Sequence, residues 1–115
     1  MPKSIWKLHA NATSEHAANK IVNQCIESLN YFPITQNLEK YEKGGYMATV
    51  IFFHKDGSSW SDFVVEIIAL GQRLGSGWSI YGNIYEESNA VLSKNVGNHI
   101  RIKGLDWAEW LVCKD

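Results

Sequence analysis

A chain of 115 residues, 45% of them hydrophobic and 20% charged, makes one domain with a core that needs no disulfide or metal staple. The formal net charge of −1 argues against a broad cationic surface for nucleic acid or anionic lipid, and the apolar fraction excludes an intrinsically disordered chain. No stretch approaches the roughly 20 apolar residues of a membrane span, and no apolar signal core follows Met1. Cys25 and Cys113 lie far apart with no redox or metal spacing. The expectation is a single cytoplasmic domain over residues 1–115, with no membrane partner.

Residues 5 to 10 alternate Trp6, Leu8 and Ala10 against Lys7 and His9, the period of a strand covered on one face. Asn11-Ala12-Thr13-Ser14 suits a helix cap. Residues 14 to 29 then repeat Ala18, Ile21, Val22, Cys25, Ile26 and Leu29 at helical spacing, which makes Cys25 a small buried thiol. Asn30 and Pro33 stop that helix. Residues 34 to 43 and Tyr46 to Phe53 form a hairpin about Gly44-Gly45, its first strand an edge guarded by Glu39, Lys40 and Glu42. Ser59 and Asp62 cap a second helix whose apolar face runs from Trp60 through Phe63, Val64, Ile67 and Leu70 to Leu74. Trp78 to Tyr85 alternates as a strand, with Ile80 and Ile84 on the side of Trp78. Residues 86 to 98 read as loop, with a short strand at 90 to 94. His99 to Lys103 and Asp106 to Cys113 read as strand segments about a bend at Gly104.

Strand, helix, hairpin, helix, strand, strand is the order of a ferredoxin-like split βαβ sandwich in the α+β class, with an extra C-terminal strand. Right-handed crossovers put both helices on one face of an antiparallel sheet and leave the other face free.

Chemistry-bearing motifs are sparse. The histidines His9, His16, His54 and His99 have no ligand spacing, so no metal is expected and they read as surface residues. The adjacent acids Glu86 and Glu87 fall in a loop, and no nucleophile signature accompanies them. Gly71, Gly75 and Gly77 follow a helix, the wrong end for a phosphate. No cofactor and no enzymatic activity are expected.

Lys43-Gly44-Gly45-Tyr46-Met47-Ala48-Thr49-Val50 falls where an RNA-recognition motif keeps its octapeptide, and Tyr81 and Tyr85 with Lys7, His9, Arg101 and Lys103 would supply its stacking face. Gly45 replaces the aromatic that this motif wants after Lys-Gly, and the balanced charge argues against a nucleic-acid partner. Of five tryptophans, Trp6, Trp60 and Trp78 are in phase with the core, while Trp107 and Trp110 fall on opposite faces of one strand. The outward one, beside Asp106 and Glu109, would anchor a protein partner.

A small single domain with no catalytic set and the segment Gly104-Leu105-Asp106-Trp107-Ala108-Glu109-Trp110 resembles the immunity proteins of bacterial contact-dependent and polymorphic toxin systems. The resemblance implies tight binding to a cognate toxin domain, commonly a nuclease, by covering its active site or substrate surface. Glu39, Tyr41 and Glu42 on the edge strand, Glu86 and Glu87 after Tyr85, and Asp106, Trp107 and Glu109 would face that partner, with Tyr81 and Tyr85 in the desolvated centre. A regulatory or RNA-binding ferredoxin-like module is the alternative, and the edge at 34 to 43 leaves a homodimer open.

Overall fold

The structure is a computed structural model describing residues 2–55, 59–83, 85–94 and 99–114. Strand β1 spans Lys3–Ala10 and buries alternate residues, Ser4, Trp6, Leu8 and Ala10, as its period demands. Helix α1, Glu15–Leu29, starts where the Ser14 hydroxyl accepts from the Ala17 amide. It ends at Asn30, whose left-handed backbone (φ 59°) returns two hydrogen bonds to the last turn. The hairpin follows as β2, Thr35–Lys40, and β3, Tyr46–Phe53. Helix α2, Trp60–Gly71, is capped by the Ser59 hydroxyl, which accepts from the Asp62 amide. The remaining strands are β4 Gly75–Ser76, β5 Ser79–Gly82, β6 Ser88–Ser93, β7 His99–Ile100 and β8 Leu105–Cys113.

Six strands form one sheet in the order β2-β3-β1-β8-β6-β5, antiparallel at every neighbouring pair. The inward residues of β1, β3, β6 and β8 share one hydrophobic cluster with Val22, Cys25 and Leu29 of α1 and Phe63, Val64, Ile67 and Leu70 of α2. Both helices therefore lie on the same face, as the amphipathic stripes predict. Trp6 and Trp110, directly opposed across β1 and β8, are its largest members, with Trp78 edge-on to Trp6 at 6.1 Å. Arg73 donates to the Leu29 carbonyl at 2.9 Å and so ties the C-terminal ends of the helices together.

The expected plan needs correction beyond α2. The last strand is no added edge: β8 lies inside the sheet against β1, because Leu105, Ala108, Trp110 and Val112 are buried and Trp110 meets both Trp6 and Ala90. Beyond β8 the sheet continues through β6 and β5, so the segment 86 to 98, expected as loop with a short strand at 90 to 94, supplies a strand that starts earlier, at Ser88, and ends at Ser93. The segment His99 to Lys103 does not join that sheet. Its first two residues pair with β4 in a separate ribbon, held to the core by Ile100 and Ile102. Gly75 permits this approach, since a Cβ there would stand 2.4 Å from the His99 carbonyl oxygen. The expected inward position of Ile84 lies outside the described residues, and Ile80 is exposed.

Candidate binding face and its pocket

Alternation that buries one face of the sheet aims the other outward, and the registers lay that face out in rows. One row runs Thr35, Ile51, Ile5, Leu111, Asn89, Tyr81 from β2 to β5. The next runs Asn37, Thr49, Lys7, Glu109, Val91, Ser79. The third runs Glu39, Met47, His9, Trp107, Ser93. An apolar band of Ile5, Ile51 and Leu111 is thus followed by the cross-strand charges Lys7 and Glu109, then by a row centred on Met47, His9 and Trp107.

The register slips within this third row. Ala10 opposes Leu105 and His9 opposes Trp107, so Asp106 is an extra residue, a β-bulge that re-aims its side chain. At the bulge lies an open depression of about 330 Å³. Met47, His9 and Trp107 line it from the sheet, Tyr41 and Lys43 from the β2–β3 turn, and Asp106 from the bulge.

Turn and floor are locked together. A carbonyl can only accept, so His9 Nε2–H donates to the Gly44 carbonyl at 2.8 Å, and Tyr41 packs edge-on to the His9 ring at 5.5 Å. The chain folds this tightly over β1 because Gly45 (φ +73°) has no side chain: a Cβ would stand 2.5 Å from the Ala10 oxygen and 2.8 Å from His9 Nε2. From outside the lining of the depression, Lys94 reaches Asp106 at 3.5 Å.

Of the residues singled out in the sequence, Tyr41, Asp106 and Trp107 converge on this depression. Glu39 and Glu109 stand on the same face, one register position from Met47 and two residues from Trp107. Glu42 is exposed in the adjoining turn. Trp107 is the outward tryptophan and Trp110 the inward one, at 1% exposure. Tyr81, Tyr85, Glu86 and Glu87 form a separate group at the β5 side, four strands from β3. There Tyr85 is exposed, and the Trp60 indole donates to the Glu86 carbonyl, pinning the loop to α2.

His9, Lys43 and Met47 enter the sequence reading together only through the comparison with an RNA-recognition motif; their meeting at this depression comes from neighbours in space, not in sequence. The outward phase of His9 was legible; the bulge was not. Arg101 and Lys103 follow β7 outside the six-stranded sheet, so they do not stand with Tyr81. The outward positions within β1 and β3 hold Lys3, Ile5, Lys7, His9, Met47, Thr49, Ile51 and Phe53, of which Phe53 alone is a phenyl or indole platform for a base.

His54 corrects the expectation of four surface histidines. It is 4% exposed, packed between the Tyr31 and Phe63 rings, with Nε2 2.7 Å from the Ser4 hydroxyl. That oxygen also accepts from the Trp6 indole at 2.9 Å, while Nδ1 of His54 is buried without a partner. Burial, opposed by the nearby Glu66 carboxylate, holds the imidazole below its ordinary pKa and hence neutral. Ser4 and His54 thus touch as a nucleophile and base would, yet Ser4 has no exposure and no substrate reaches it. Cys25 is equally enclosed: burial pushes its thiol up to about 12, far from a reactive thiolate.

Among the described residues, no group of His, Cys, Asp and Glu is arranged to hold a metal, and no helix is long and apolar enough to cross a membrane. No family model matches the chain, and neither does any characterised protein or solved structure.

Proposed function

We propose that this chain is a non-catalytic binding protein that covers a partner protein with the uncovered face of its sheet, as immunity proteins cover a cognate bacterial toxin domain. The observation that carries the reading is the make-up of that face. An apolar band and a half-buried tryptophan beside a depression are flanked by charge, the anatomy of an interface with a desolvated centre and a polar rim. Six strands spaced about 4.8 Å apart, with roughly six outward and inward positions along each, give a face of about 24 by 20 Å. Its area, on the order of 500 Å², falls short of the roughly 800 Å² each partner contributes to a standard interface, so the turn at Glu42 and the loop at Tyr85 share the contact. Glu39 and Glu42 on one rim and Glu86 and Glu87 on the other would steer a basic partner such as a nuclease.

On the same reading, the frame β2-β3-β1-β8 is a ferredoxin-like split βαβ closed by β8, with the hairpin β5–β6 inserted before the closing strand. A cytoplasmic location accompanies it, since the toxin of a neighbouring cell acts there.

The test is co-expression with the polypeptide encoded next to this chain. The expected result is co-purification and relief of that polypeptide's toxicity, both lost on Trp107→Arg while the fold persists. Neutralisation unaffected by Trp107→Arg would overturn the proposal.

A further inference from the structure

The depression at the Asp106 bulge allows a more specific statement, which rests on the protein-binding reading above. We propose that it is a socket for one arginine residue of the partner, with the guanidinium against Asp106 and Trp107 and an adjacent carboxylate toward Lys43.

Three observations point the same way. The carboxylate of Asp106 is 28% exposed, and its ion pair with Lys94 spans 3.5 Å, long beside the usual 2.7–2.9 Å of about-linear charge-assisted bonds. Lys94 itself is 65% exposed, so its ammonium keeps most of its hydration and yields readily to a better donor. A guanidinium presents two parallel N–H groups to a carboxylate and stacks on an aromatic face, which a compact ammonium cannot do together. Trp107, half-buried, and Tyr41, held edge-on against His9, supply such faces.

The opposite wall sets the orientation. Lys43 lies in the β2–β3 turn, and β3 is separated from β8 by two strand spacings, about 10 Å. That width suits an extended arginine measured from its guanidinium to its own carboxylate, or to an acidic neighbour in a partner's chain. A single ammonium on that wall also repels a second cation, so the socket takes one arginine and not a basic run. His9 Nε2 is engaged with the Gly44 carbonyl and leaves the floor without a competing donor at that atom. A volume of about 330 Å³ holds one side chain with its backbone and little more.

N-acetyl-L-arginine is the probe, followed by ¹⁵N NMR on the isolated chain. Saturable shifts are expected at the Trp107 indole and the Asp106 amide. N-acetyl-L-argininamide and N-acetyl-L-lysine should bind more weakly, and N-acetyl-L-leucine not at all. Asp106→Asn should weaken acetylarginine about tenfold, the size of one charge-assisted bond. Lys43→Ala should remove the preference for the free acid over the amide while the amide still binds. Both positions are surface-accessible, and unchanged spectra elsewhere would show that the variants fold. Absent saturation, shifts centred away from Trp107, or equal binding of acetyl-leucine would overturn the socket. Acetylarginine needs no partner protein, so failed co-purification with intact acetylarginine binding would overturn only the partner reading, and the reverse only the socket.

Discussion

Gly45→Ala tests whether the β2–β3 turn and the pocket floor form one unit. At φ +73° a non-glycine residue costs about 1–2 kcal/mol, and the added Cβ would stand 2.5 Å from the Ala10 carbonyl oxygen. That oxygen belongs to backbone at the end of a central strand, so relief requires moving either the turn or β1, at a further 1–3 kcal/mol by analogy with overpacked cores. The expected total is about 2–5 kcal/mol, a fall in Tm of roughly 10–20 °C for a chain of 115 residues. Gly45→Asn separates the contributions: asparagine tolerates left-handed backbone but carries the same Cβ. It should keep at least half of the loss in urea denaturation, and its NMR spectrum should show His9 and Trp107 shifted together. A Gly45→Asn variant as stable as the parent, with His9 unmoved, would refute the argument.

Three further outcomes follow from the same geometry. Ser4→Ala removes the acceptor of the buried Trp6 indole and the partner of His54 at once, and should cost about 2–4 kcal/mol by chemical denaturation. Stability should also fall as the solution is acidified below the ordinary histidine pKa of 6.5, because unfolded His54 takes up a proton that the folded, buried ring resists. The slope should vanish below the depressed folded value, and His54→Gln should flatten it, as urea midpoints from pH 8 to 5 would show. Trp110→Ala should destabilise by about 3–5 kcal/mol, whereas Trp107→Ala should cost under about 1.5 kcal/mol and act on partner and arginine binding.

Much of this was written in local pattern. The inward phase of Trp6, Leu8 and Ala10, the stripe from Ala18 to Leu29 and the caps at Ser14 and Ser59 each answer to a period or a hydrogen bond within a few residues. What was not legible is non-local. Strand β6 was legible only as a short strand at 90 to 94, and its start at Ser88 was not, because the inward Ser88 and Ala90 give too weak an apolar signal without β8 alongside. His99 to Lys103 has a strand's composition, yet whether it pairs with the sheet or with Gly75–Ser76 depends on a glycine more than twenty residues away. His54 reads as a turn residue because its burial is imposed by Ser4, Tyr31 and Phe63 from three other segments. The site divides similarly: Trp107 was found by phase and Asp106 by its neighbour, while their union with Tyr41 depends on a one-residue slip that only the pairing partner exposes.

The seam between β1 and β8 joins residues 3–10 to residues 105–113, with Lys3 opposite Cys113. During synthesis β1 therefore waits on one side for a neighbour made some hundred residues later, and the Trp6–Trp110 contact at the middle of the sheet is among the last to become available. Until then an apolar strand edge stands open, a template on which another chain could pair.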